Sequence, residues 1–321
     1  MRRYLVQRLL SMIPLAVGVT LVTFAVLHLV PGNPLDGMMN PQVTDPQRLA
    51  KLEAQLGFRD PWPVQYLRWL AQLLQGNLGY SYLTGRPVIG LIGDRLPRTL
   101  LLGGAAMALA FAGAIPLGVV SALRRYTVFD RLVTLISLAG ISVPEFFLCL
   151  LQVYWIGLQL NVLPTSGYET LYSQRTGVAL WLDRLHHLIL PACALALPLM
   201  AGVVRFTRSS VLDALSGDYV RTARAKGLPR PRVIYRHILR NSLISVITLF
   251  GLTIPTVLSG DFVVEYIFGW PGIGTLSVVS VQNREYSIIL AVTLLTAVLV
   301  LLGNLVADML YALADPRVRY A

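Results

Sequence analysis

Charge is scarce in this sequence. Only 13% of its 321 residues are Asp, Glu, Lys or Arg, while 55% are hydrophobic and the mean hydropathy is +0.64. That balance excludes an ordinary soluble domain and places the chain in a bilayer. Cysteine is nearly absent too. Cys149 and Cys193 stand in apolar runs with no second Cys or His at metal spacing, which leaves no disulfide framework or zinc site and reads as two inert core thiols. Lysine occurs only as Lys51 and Lys226, each preceded by Ala. A Walker loop needs Gly before its Lys and Ser or Thr after it to cradle phosphate, so the chain carries no ATP site of its own. The adjacent histidines His186 and His187 lack a Glu at HExxH spacing, and no G-x-S-x-G elbow is present. Zinc protease and serine hydrolase chemistry are therefore not indicated, and the pair reads as structural.

Long apolar runs are what the sequence has instead. Residues 9–30 form a run of about 22 residues, about 33 Å as a helix, which is enough to cross the hydrocarbon core. Five further spans follow at 99–123, 132–158, 188–204, 242–264 and 288–307. Their recurrence means that a lone signal peptide cannot explain the apolar composition, and the first run, which lacks a convincing cleavage site, is expected to be retained. Six spans put both termini on one side. The N-terminus, the 124–131 loop, the 205–240 loop and the C-terminal tail hold 17 of the 27 basic residues, which assigns that side to the cytoplasm. The net charge of +11 is thus an orientation and lipid-surface signal, with no nucleic-acid partner expected.

The expected organisation is a tail and first helix over 1–30, an external cap over 31–98, a transmembrane core over 99–314 and a cytoplasmic tail over 315–321. Within the cap the pattern predicts short helices over 46–56 and 63–74, then turns at Gly76, Gly79, Gly85 and Pro87.

The cytoplasmic loop over 205–240 is the most informative segment. It holds nine basic residues and two acids, Asp213 and Asp218. The stretch 218–226 (DYVRTARAK) is rich in helix formers, Gly217 and Asp218 stand at a cap position, and Gly227 supplies a left-handed turn that ends the helix. Pro229 and Pro231 forbid simple continuation, and a helical pattern resumes over 233–239. The small residues Thr222, Ala223 and Ala225 would let another protein approach closely, with Arg221 and Lys226 meeting its acids. A basic helix lying on anionic lipid fits the same pattern.

Intramembrane acids are the remaining chemistry. Glu145 follows Pro144 inside the third span, where an acid either lines a water-filled route or makes a structural hydrogen bond. Asp261 and Glu265 stand at the external end of the fifth span, before FGWPGIG, as a solvated helix end or a gate. One acid per span without paired repeats does not make a proton relay.

The 205–240 loop resembles the cytoplasmic EAA loop of ABC importer permeases. Ala223, Gly227 and Leu239 match its pattern, while Arg221, Thr222, His237 and Arg240 depart from it. DYVRTARAKG followed by RHILRNSL is similar to the peptide branch of that family. So are RRYLVQRLLSMIPLAVGVTLVTFAVLHLVPGNP at the start, QGNLGYSY and RLPRTL in the cap, VVEYIFGWPGIG, and LVADMLYALADPRVRY at the end. The chain is identified as a member of the dipeptide, oligopeptide and nickel permease family.

That resemblance implies an all-α membrane protein with the type I importer permease fold, in a bacterial cytoplasmic membrane. It implies a second permease, two cytoplasmic ATPases carrying the ATP and Mg, and an extracytoplasmic binding protein that delivers peptide; no cofactor is expected on this chain. Asp218, Tyr219, Arg221, Thr222, Ala223, Ala225, Lys226, Gly227 and Leu228 would form the coupling helix that sits on one ATPase. Glu145, Asp261 and Glu265 are the candidates for path or gate. Nickel, glutathione or another small solute is the alternative cargo.

Overall fold

Lipid offers no partner to a backbone N–H or C=O, so a bilayer-length run is stable only as a helix or within a closed barrel. Helices make up nearly all the regular structure of the described residues. The computed structural model describes residues 2–29 and 60–314, and the side chains of 10–29 and 60–310. The helical pattern expected over 46–56 lies outside the described residues. In order the helices are α1 (Arg2–Leu29), α2 (Trp62–Leu74), α3 (Val88–Leu123), α4 (Val128–Ser142), α5 (Glu145–Gln152), α6 (Gly177–Ser216), α7 (Asp218–Ala225), α8 (Arg230–Val233), α9 (Arg240–Ser259), α10 (Phe262–Ile267), α11 (Ile273–Gln282) and α12 (Tyr286–Ala314). Wider i→i+5 turns over Val153–Gln159 and Ile234–Leu239 extend α5 and join α8 to α9.

Five of these helices are long and apolar enough to cross a membrane, and α4 with α5 makes a sixth crossing if the pair counts as one. The expected third span is broken at its Pro144: α4 and α5 are bent by 103° at Val143–Pro144. Proline lacks the N–H that would continue the ladder, and it drives the preceding residue to extended backbone; Val143 has ψ 127°. The fourth span is also longer than expected. It runs unbroken for 40 residues through Pro191 and Pro198, so residues 205–216, read as loop, are its last turns. The fifth span ends at Ser259, where Gly260 takes φ 76°. Asp261 lies beyond the break.

The described residues pack as two units, one within Met1–Thr99 and Pro271–Leu301, the other within Leu100–Trp270 and Leu302–Ala321. In the first, Val88, Leu91 and Ile92 of α3 pack on Ile273 and Leu276 of α11 and on Ile288, Ala291 and Val292 of α12. Phe24, Tyr66 and Leu290 form a second cluster, and the Tyr66 hydroxyl lies 3.0 Å from Thr20 Oγ1, which fixes α2 against α1. Gly76, Gly79 and Gly85 all take positive φ at the turns expected of them. In the second unit α6 packs against both α4 and α9. Glycines permit close helix contact there, as is usual in membrane bundles: a Cβ at Gly103 would come within 2.6 Å of the Val257 side chain, and one at Gly303 within 2.9 Å of Pro255.

The QGNLGYSY segment is held by an acid that the pattern did not single out. Glu285 is 4% exposed and accepts hydrogen bonds from Ser81 Oγ and Tyr82 N, both at 2.7 Å. Next to it Ser287 Oγ donates to the Tyr82 hydroxyl at 2.9 Å, and burial pushes the Tyr82 phenol above its ordinary pKa. Glu285→Gln should destabilise the cap by about 2 kcal/mol, because an amide N–H₂ would face the Tyr82 N–H, and bonds to charged acceptors are worth about that much. Faster proteolysis of the 75–87 segment in Glu285→Gln, with helix content unchanged, is the expected result.

Candidate functional site

The segment after α6 is built to present one face. A helix of eight residues is not stable by itself, so the order of α7 must come from packing. Val220 and Ala223, three residues apart, are 0% and 4% exposed and join a cluster with Ala122, Val211, Ala214, Val233 and Ile238. Fully burying Val220 stabilises the element by about 1.5–3 kcal/mol. The opposite face carries Asp218, Tyr219, Arg221, Thr222, Arg224, Ala225 and Lys226, all exposed. Gly217 occupies the N-cap and Gly227 follows the C-terminus with φ 73°. The Gly227 N–H bonds Arg224 O at 2.9 Å and the Leu228 N–H bonds Ala223 O at 3.3 Å. That is the Schellman arrangement, with its apolar contact supplied by Leu228 on the same cluster as Ala223.

Of the expected coupling residues, eight lie on or beside the exposed face or its turn. Ala223 does not. Its small side chain points into the chain's own core, so its size serves internal packing.

One buried network supports this end of the fold. Asp130, 4% exposed on the first turn of α4, accepts from Arg208 Nε at 2.6 Å and Nη2 at 3.0 Å, from Ser121 Oγ at 2.6 Å and from Tyr126 N at 2.9 Å. One carboxylate thus joins α3, the 124–127 turn, α4 and α6. Sequence reasoning passed over it, although Thr127 and Asp130 have the spacing of a helix-capping pair and Thr127 Oγ1 accepts from Asp130 N at 3.4 Å. At the other end of α6, Asp183 is 4% exposed and accepts from Thr170 N and Oγ1, each at 2.7 Å, and from Arg175 at 2.5 Å. His187 Nδ1 lies 2.9 Å from Asp183 O and His186 Nε2 lies 3.2 Å from Val162 O, a structural use of both rings.

The structure brings two of the three candidate path acids together. Glu145 opens α5 after Pro144, α10 packs against α5, and the Glu145 and Asp261 side chains interact. Both are partly exposed. Asp261 also caps α10, its Oδ1 accepting from Val263 N at 2.9 Å and Val264 N at 3.0 Å. Glu265 is corrected: it is 0% exposed, not a solvated helix end. It sits where the chain folds back, with its carbonyl accepting from Trp270 N at 2.7 Å. Trp270 in turn is fully buried against Tyr168, ring centroids 5.0 Å apart.

Helices of this length and hydropathy define a multi-span membrane protein. Residues 114–320 match the family described as binding-protein-dependent transport system inner membrane component, and residues 1–103 match the N-terminal region of such components. The chain belongs to that family. It is 45% identical over 321 residues to the oligopeptide transport system permease protein AppB of Bacillus subtilis, with 100% of each chain covered. It is 42% identical to the di/tripeptide transport system permease protein DppB of Pseudomonas aeruginosa and 37% identical to the dipeptide transport system permease protein DppB of Escherichia coli K12. Each alignment covers 100% of this chain and 99% of the relative. Among solved structures, the inward-facing MetNI methionine ABC transporter matches with a TM-score of 0.53 at 13% identity, over 71% of this chain and 97% of that one; the likeness is one of fold.

The Schellman turn yields a discriminating pair of substitutions. A Cβ at Gly227 would meet nothing within 4 Å, so the cost of replacement is backbone strain alone. Gly227→Val should destabilise the turn by roughly 1–2 kcal/mol or more and Gly227→Asn by much less, since Asn tolerates the left-handed region. Hydrogen exchange of the Gly227 and Leu228 amides should rise in the first variant and change little in the second.

Proposed function

We propose that this chain is a transmembrane permease subunit of a bacterial ABC importer for dipeptides and oligopeptides, forming half of the path beside a second, similar permease. Two cytoplasmic ATPases drive it and an extracytoplasmic binding protein supplies the peptide. Both termini face the cytoplasm. The single observation that carries the reading is full-length similarity to permeases named for di-, tri- and oligopeptides. The geometry of α7 supports its mechanical part. A helix locked on one face by Val220 and Ala223 and ended by a fixed turn can transmit a push without dissipating it in local motion, whereas a loose loop cannot.

On this reading α7 and its turn, Asp218 to Leu228, seat in a groove of one ATPase. Closure of the ATPase pair shifts the two permeases between outward- and inward-open arrangements, a rigid-body switch biased by nucleotide. Hydrolysis and its Mg belong to the ATPases. On this reading Glu145 and Asp261 line the path, where partly exposed acids at a helix break suit a peptide's ammonium group, and the buried Glu265 does not.

Proteoliposomes holding this chain with its partner subunits should take up labelled dipeptide only with both ATP and binding protein; hydrolysis stimulated by nickel and not by peptide would replace the cargo and keep the mechanism. Ala225→Trp, on the exposed face of α7, should weaken co-purification of the ATPase severalfold while membrane insertion persists. Full co-purification with undiminished uptake would remove α7 from the interface.

A further inference from the structure

A cavity of about 490 Å³ lies beside α7. Its walls come from several elements: Leu123 ends α3, Leu215 stands in the last turn of α6, Leu228 belongs to the Gly227 turn, and Ile234 follows α8. Every lining residue is apolar except Arg224 of α7 and Arg230 of α8, which both border the cavity. Both arginines are exposed, and neither has an ion pair among the described residues. The two acids of the 205–240 segment do not line it, and Asp218 faces Arg221 at 3.5 Å.

Two further observations say what fits. Arg230 begins the helical run that continues to Ser259, and the first turn of that run carries Arg230 and Arg232 with no acid. Cations there oppose the helix dipole, which favours negative charge at that end, so an anion between Arg224 and Arg230 relieves both the dipole and the mutual repulsion of the arginines. The depth argues against a bilayer acyl chain as the apolar part. Leu215 lies seven residues, about 10 Å, beyond Arg208 along α6, and Leu123 is followed at once by the exposed Arg124 and Arg125. The apolar wall thus stands at and beyond the charged ends of the crossings, where protein can cover it and hydrocarbon is not at hand.

We infer that this cavity is a socket for the ATPase: an apolar side chain of that subunit fills it while a neighbouring Asp or Glu bonds Arg224 and Arg230. It rests on the reading, made above, that α7 docks on an ATPase, and it is continuous with that contact, since Arg224 and Leu228 belong to the same helix and turn. A planar guanidinium donates two parallel bonds to one carboxylate, and the apolar walls keep out the water that would weaken them. The element is then held on its flank as well as on its outer face, so that a pull from the ATPase is transmitted as well as a push.

The test is photo-crosslinking in the purified complex of this chain with its partner subunits, with benzoylphenylalanine in place of Arg230 in one sample and of Ala225 in another. The adduct at position 230 should be an ATPase peptide that contains Asp or Glu beside an apolar residue. An adduct with lipid or with the second permease alone, an ATPase peptide without an acid, or no adduct overturns the socket. The adduct at position 225 separates the two readings: if it forms with the ATPase while the one at 230 does not, the docking of α7 stands and the socket fails; if neither forms, both fail. In a second measurement, Arg224→Gln with Arg230→Gln should lower ATPase retention severalfold and flatten its dependence on salt, and Arg224→Lys with Arg230→Lys should restore part of both, because the lost attraction is between charges. Unchanged retention and an unchanged salt dependence in the glutamine pair overturn the carboxylate contact.

Discussion

A backbone N–H or C=O in hydrocarbon must find its partner inside the chain, and three breaks in these helices show how their backbone groups are satisfied. At the α4–α5 bend the Val143 N–H still reaches Ala139 O, Pro144 has no N–H to satisfy, and its carbonyl accepts from Phe147 and Leu148. At the end of α9 Gly260 closes back on Val257, and the next helix receives a side-chain cap from Asp261. After α7 the Gly227 turn pairs the last carbonyls of the helix. Each of these three breaks has a proline, a left-handed glycine or a capping acid in place.

The same constraint explains the reach of α6. Forty residues make a helix of about 60 Å, twice the hydrocarbon thickness. At one end Asp183 ties it to the 170–175 loop, and at the other Arg208 ties it to Asp130 and the turn before α4. Its last turns support Val220 and Ala223 through Val211 and Ala214. On the proposed reading one rigid element therefore spans from the side where peptide arrives to the helix that meets the ATPase, and α7 is fastened to it directly. Removing Arg208 would leave the Asp130 carboxylate buried without its cation, a change that costs far more than the pair itself contributes.

How much of this was legible in the sequence depends on the range of the interaction. Gly227, with Pro229 after it, is a local instruction, and the helix and turn appear where the pattern puts them. Gly76, Gly79 and Gly85 are equally local. Pro144 announced a break but not its size, because a bend of 103° is set by what α5 packs against: Cys149 joins Leu190, Ala194, Val264 and Phe268, and Val153 packs on that cluster from sites 37 residues and more away. Glu265 was misread for the same reason. Beside the turn-rich FGWPGIG it has the signature of a solvated end, yet the chain folds back there, with Trp270 N bonding Glu265 O, and Glu265 is buried. Glu285 and Asp130 escaped notice because their partners, Ser81 and Arg208, are distant in sequence; in Asp130 a capping spacing was present but hidden in a basic loop.

Ala223 shows why a motif and its structural logic can part. A small residue in a cytoplasmic helix reads naturally as room for a partner, and here the room is filled by Val233 and Ile238 of the same chain. The two uses are linked. A docking helix that is free on all sides would gain order only on binding, and the entropy of that ordering would be lost from each cycle of coupling. Fastening one face in advance leaves the other face with a fixed position, and the Schellman turn prevents the end from fraying. What the motif preserves on this view is the anchorage as much as the contact: Ala223, Gly227 and Leu228 hold the element to its own bundle, while Asp218, Tyr219, Arg221, Thr222, Ala225 and Lys226 remain to meet whatever drives it.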